Sequence, residues 1–102
     1  MGLIIQQRAL QAIVGLRPVL PVVRKRDRDL FDQMHRAMNS VVLNIAEADG
    51  NEPGTARARF ASACGSAKEV RAGLKLAVAY GYVGSSRVEE VDTALDEVCA
   101  MS

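Results

Sequence analysis

Ser40, Asn44 and Glu47 stand at i, i+4 and i+7, so on a helix they share one face. A hydroxyl, an amide and a carboxylate in that register can bond to one another and to a facing helix. Ser66 and Glu69 are placed to answer them from the next helical stretch. A polar network of this kind, inside a bundle or at a subunit seam, fixes register more than it adds stability. The alternative is a solvated helix face. A second set, Arg57, Lys68, Arg71 and Lys75, falls on one stripe at about 100° per residue. Such a row can track the phosphate backbone of RNA or DNA, pair with an acidic helix, or stay in water. Aromatic residues are not interleaved with the basic ones along the chain, which argues against a platform for stacking single strands.

Nothing in the sequence assembles a catalytic centre. His35 is the single histidine. Asp32 stands at i−3 to it, alone, and no Cys or second His follows at a ligand spacing, so His35 reads as a helix-flank residue beside Phe31, Met34 and Met38. The glycines sit singly or at helix ends, with no phosphate-cradling loop among them. Cys64 and Cys99 make no metal-type cluster; they read as small buried hydrophobes in a reducing cytosol, with a disulfide or a redox role as the alternative. The expectation is no enzyme, no catalytic residue, no metal and no cofactor.

The elements that would carry these residues follow from periodicity. Leu30, Met34, Ala37, Val41, Ile45 and Ala48 form one apolar stripe, widened by Phe31, Met38 and Val42. Gly50-Asn51-Glu52-Pro53-Gly54 ends that helix. Phe60, Ala63, Ala67, Val70, Leu74, Ala77 and Val78 make the next stripe, whose small residues allow close backbone approach and which stops at Gly81. Upstream, Ile5, Ala9, Ala12, Ile13 and Leu16 form a stripe, while Leu3, Leu10 and Val14 lie nearly opposite. A helix apolar on two sides is normally covered on both, so Leu3, Leu10 and Val14, with Leu43 on the polar side of the second helix, mark a candidate oligomer interface. Pro18 and Pro21 break or kink the chain, and Asp27 is placed to cap the helix that follows, with Asp29 favourable in its first turn. Ser86 and Glu89 fit a capping box opening a last helix, with Val88, Val91, Leu95, Val98 and Cys99 on its apolar face. The spacing predicts helices over about 3–17, 28–49, 54–80 and 87–100, an all-α, up-and-down antiparallel four-helix bundle forming one domain over 1–102.

Composition agrees. The chain has 102 residues, 49% of them hydrophobic, 25% charged and 4% aromatic, with a net charge of +1. That suits a small soluble domain with an aliphatic core and gives no strong overall pull toward nucleic acid or membrane. The charge is mildly uneven: residues 1–36 hold seven basic against three acidic residues, and residues 37–102 six against nine. Met1-Gly2-Leu3-Ile4-Ile5 is too short an apolar run for a signal peptide, Gln6 stands where myristoylation wants Ser or Thr, and no stretch reaches the roughly 20 apolar residues of a membrane span. A cytoplasmic location is the expectation.

The central stretch resembles a known family. Arg36-Ala37, Ser40, Asn44-Ile45-Ala46-Glu47, Arg59-Phe60, Ala63, Gly65-Ser66, Glu69 and Gly81-Tyr82 are similar to the pattern of the bacterial four-helix bundle proteins first noticed as products of intervening sequences within 23S rRNA genes. The resemblance covers roughly residues 30–83. Two departures bear on the loop: Ala48 stands where that family usually has Gly, and Ala56-Arg57 replaces the usual Glu-Phe before Arg-Phe. The resemblance implies a bundle that assembles into a ring, commonly a pentamer, with no known enzymatic activity. Relatives of that family include accessory proteins of diversity-generating retroelements, which bind a reverse transcriptase and nucleic acid. Fold alone does not carry such a partner across. Two functions follow as expectations: a non-enzymatic homo-oligomeric scaffold or binding module, and a nucleic-acid-binding accessory protein using the basic stripe.

Overall fold

The computed structural model describes residues 2–101. Five α-helices follow in order: α1 (Gly2–Leu16), α2 (Leu20–Arg26), α3 (Arg28–Ala48), α4 (Pro53–Ala79) and α5 (Glu89–Met101), with a 3₁₀ turn at Ser85–Arg87 before the last. The described residues contain no strand. α3 and α4 form the most extensive pair; α1 packs on α5 and α3, and α4 on α5. α3, α4 and α5 thus pack in sequence order, as short connections favour, and α1 closes the bundle against α5 and α3. α4, with 27 residues, is about 40 Å long at 1.5 Å per residue and runs the length of a molecule measuring 43 × 23 × 17 Å.

The core is the set of stripes read from periodicity. Ile5, Ala9, Ala12 and Leu16 from α1 meet Leu30, Met34, Val41 and Ile45 from α3, Ala63, Ala67, Val70 and Leu74 from α4, and Val91, Leu95 and Val98 from α5 in one contiguous cluster. Two glycines set how closely the helices approach. A Cβ built on Gly73 would lie 2.5 Å from Met34 Cγ, and one on Gly15 would lie 2.7 Å from Val91 Cγ2. The α3–α4 and α1–α5 contacts therefore need those positions bare.

Helix ends are satisfied by local chemistry. Asp27 is extended (φ −155°, ψ 91°) and its carboxylate accepts the Leu30 N–H at 3.0 Å, as its place in the sequence implied. α4 ends in a Schellman turn: Tyr82 N–H donates to Ala77 O (2.8 Å) and Gly81 N–H to Val78 O (2.9 Å), with Gly81 at φ +78°.

Three expectations are corrected. Pro18 and Pro21 do interrupt the chain, since α1 stops at Leu16 before a turn at 17–19, but the four-helix reading left out the short α2 that follows, which forms because a proline in a first turn lacks only an N–H that has no helical acceptor there. Pro21 occupies that turn of α2, and Val19 and Val23 at i, i+4 are fully buried. Ser86 builds no capping box either. It lies inside the 3₁₀ turn, where Arg87 N–H donates to Gly84 O and Val88 N–H to Ser85 O, and Asp92 N–H then reaches Val88 O, so backbone prepares the start of α5. Lastly, Cys64 and Cys99 are not buried thiols. Close packing of α4 on α5 brings their Cα atoms to 4.8 Å, and the two half-buried residues form a disulfide. The pairing lends no support to a reducing setting.

Candidate functional site

The polar residues of α3 and α4 meet in the groove between those helices. Asn44 Nδ2 donates to Ser40 O (2.8 Å) and to Ser40 Oγ (3.0 Å), and Ser66 Oγ donates to Ser40 Oγ at 2.8 Å across the helix pair. Arg59 of α4 completes the set, with Nη1 3.4 Å from Asn44 Oδ1 and 2.9 Å from a Glu47 carboxylate oxygen. Ser40, Asn44 and Ser66 are half-buried, and Glu47 and Arg59 are exposed. The network therefore clasps α3 to α4 at the rim of the core. Glu69 takes no part: it lies on the exposed side of α4, one turn from Ser66, with no bonded partner among the described residues. Arg59 was missing from the expected set, although its seat before Phe60 in the quoted pattern was a signal for it.

The basic stripe is divided by the fold. Arg71 is half-buried between α4 and α5, and its guanidinium forks onto two carboxylates: Nε to Asp92 Oδ1 at 2.8 Å and Nη1 to Asp96 Oδ1 at 2.9 Å. The hydrogen bond to Asp92, with both carboxylate charges, raises its pKa further against the opposing effect of burial. Arg57, Lys68 and Lys75 remain exposed and have no carboxylate partner among the described residues. The central cation of the row is thus committed to holding α5, the pairing that the sequence left as an alternative.

The apolar side chains expected at an interface are all open to solvent. Leu3 is 68% exposed, Val14 58% and Leu43 61%, with Leu10 and Ile4 about half exposed. The single charge in α1, Arg8, swings aside to pair with Glu97 of α5 at 2.8 Å. The outward face from Leu3 to Val14, broken by Gln7, therefore carries no charge. Leu43 sits across the molecule's surface chemistry on α3, beside Arg36, Asn39 and the Asn44–Arg59 cluster in a shallow groove.

One arrangement was not foreseen. Arg26 lies 5.3 Å above the Tyr82 ring, and Tyr82 stacks on Tyr80 at 5.2 Å with planes 22° apart. Arg24 similarly sits 5.7 Å from Phe31, which stacks on His35 at 5.4 Å. The sequence keeps the arginines and tyrosines more than fifty residues apart; the α4 turn carries the tyrosines back to the end of α2. No group of three or more His, Cys, Asp or Glu residues that could hold a metal ion occurs among the described residues, and no described helix is long and apolar enough to cross a membrane.

Comparison with known proteins now bears on this architecture. The family model described as 23S rRNA-intervening sequence protein matches residues 2–102. Among solved structures, a protein with unknown function from the S23 ribosomal protein family of Bacteroides thetaiotaomicron superposes with a TM-score of 0.82 at 17% identity, covering 95% of this chain and 93% of that one. At that identity the likeness is one of fold. A search of the curated proteins finds no match.

Proposed function

The chain belongs to the 23S rRNA-intervening sequence protein family, and from that premise we propose that it acts without catalysis, as a homo-oligomeric helical module whose assembled surface is the working part. The observation that carries this reading is the uncharged outward face of α1. Ile5, Ala9, Ala12 and Leu16 are buried against α3 and α5, while Leu3, Leu10 and Val14 stand in water on the other side, with Ile4 exposed on the flank. Removing such side chains from water is worth roughly 25 cal/mol per Å² of apolar surface, which favours a second copy over solvent. Several large apolar side chains exposed on one side of a single helix are the kind of surface that interfaces cover. A ring, as the family resemblance implies, would repeat the contact around an axis.

The test is the Leu10→Asp variant in sedimentation velocity. In this reading the variant keeps its helical circular dichroism, because Leu10 is not a core residue, and sediments at the single-chain mass of 11.0 kDa. A variant that stays assembled would remove α1 as the seam. Leu10→Ala, which keeps an apolar face, should weaken assembly without abolishing it.

A further inference from the structure

Residues 17–28 hold Arg17, Arg24, Lys25, Arg26 and Arg28 against the single carboxylate of Asp27, a formal +4 within a chain whose total is +1. Asp27 is committed twice over. One oxygen accepts the Leu30 N–H and the other accepts the Tyr82 hydroxyl at 3.1 Å. Arg28 pairs with Asp32 at 3.2 Å. Arg17, Arg24, Lys25 and Arg26 are exposed and have no carboxylate partner among the described residues. Against this cationic corner the fold sets three of the chain's four Phe and Tyr residues, in the two cation–ring columns described above. The Arg26–Tyr82–Tyr80 column ends in Tyr80, which is 62% exposed. Its ring stacks on Tyr82, the ring that Arg26 covers, and so presents a largely exposed flat surface beside that cation–ring contact.

We propose that the corner formed by α2 and the α4 turn is a binding site for single-stranded nucleic acid, with phosphates on Arg17, Lys25 and Arg24 and one base stacked on Tyr80. The chemistry selects this partner class. Backbone phosphate supplies the charge that the four unpaired cations lack. An unpaired base supplies the π-face that an exposed tyrosine ring matches. A duplex hides its base faces, and a headgroup layer offers no ring to stack. The site lies apart from the α4 stripe and does not depend on the self-association reading, since all its residues belong to one chain.

The test is fluorescence anisotropy of the full chain with labelled ten-nucleotide oligouridylate and oligothymidylate. Binding at 50 mM salt should weaken about 20-fold at 200 mM, as three phosphate contacts on a single strand require. Tyr80→Ala should lose about 10-fold or more while Tyr80→Phe retains affinity. Lys25→Glu should lose affinity and show a shallower salt dependence, as loss of one phosphate contact requires, and Lys68→Glu should bind as the parent does. All three positions are exposed, and matching thermal melts keep folding out of the comparison. The proposal is overturned by absent binding at 50 mM salt, by equal affinity of Tyr80→Ala, or by equal affinity for a duplex of the same length. It is also overturned if vesicles containing phosphatidylserine outcompete the oligonucleotide, or if Lys25→Glu acts only by dispersing an oligomer.

Discussion

Asp27 and Tyr82 are joined across 55 positions of sequence by a 3.1 Å hydrogen bond in which the phenol donates to the carboxylate that also caps α3. The one side chain therefore starts a helix, fastens the α4 turn to it and sets the ring over which Arg26 lies. Asp27→Ala should cost about 1 kcal/mol for the cap alone, and more in total because the phenol is orphaned. Asp27→Asn, which keeps both acceptor roles on its amide oxygen only in part, should fall between. Urea denaturation curves with unchanged slope would measure this; an Asp27→Ala protein as stable as the parent would contradict the double role.

The same bond predicts a titration. Burial, then the hydrogen bond to Asp27, holds the Tyr82 phenol above the ordinary tyrosine value of 10.0. A raised folded-state value means the folded protein keeps the proton more tightly, so this contribution to stability is complete below pH about 10 and is lost as pH rises through the folded-state value. In a Tyr80→Phe background, ultraviolet absorbance of tyrosinate should show Tyr82 ionising above 10 in the folded protein, and Asp27→Ala should bring it down. A midpoint at or below the ordinary value would contradict the geometry.

Glycine substitutions should have opposite signs along α4. Gly65 has open space where a Cβ would go, so Gly65→Ala should stabilise by about 0.5–1 kcal/mol through helix propensity. Gly73 faces Met34 at 2.5 Å, and overpacking there costs about 1–3 kcal/mol, enough to outweigh the same propensity gain. Thermal melts of the two variants on either side of the parent would establish the close approach.

Arg71 should behave as a clamp. Its side chain is a quarter exposed, against a third for Asp92 and about two-thirds for Asp96, so solvent screens the Asp96 arm more than the Asp92 arm. Arg71→Ala should cost about 1 kcal/mol, and Arg71→Lys should recover only part because a lysine cannot fork onto two carboxylates. A double-mutant cycle with Asp92→Asn should show coupling, and one with Asp96→Asn less. Equal coupling would contradict the burial argument.

The Cys64–Cys99 disulfide closes a span of 35 residues, which restricts the unfolded chain enough to be worth about 3–4 kcal/mol. Purified protein should show no titratable thiol before reduction, and reduction should lower its melting temperature. Two free thiols in the oxidised protein would contradict the pairing.

Much of this architecture was legible in the chain. The stripes of α1, α3, α4 and α5 follow from apolar spacing alone, and Asp27 announced its capping role because an acidic residue followed by Asp29 precedes the first periodic leucine. α2 was hidden because its seven residues, Leu20–Arg26, contain Pro21, and proline signals interruption unless its place in the turn is known. The Ser40–Asn44 part of the clasp follows from i, i+4 spacing, whereas exclusion of Glu69 depends on the rotation of α4 against α3. The disulfide and the Arg26–Tyr82–Tyr80 column join distant segments, so neither leaves a local trace. Sequence placed the acidic face of α5 within reach of Arg71 only as one option among three; packing chose it.

The central claim, that this chain works by associating through the apolar face of α1, is tested most directly by sedimentation velocity of the unmodified protein over a range of concentrations. The account predicts a discrete species at a multiple of 11.0 kDa, persisting at high salt because the contact is apolar. A protein that sediments at 11.0 kDa up to millimolar concentration, with Leu3, Leu10 and Val14 in water, would contradict it.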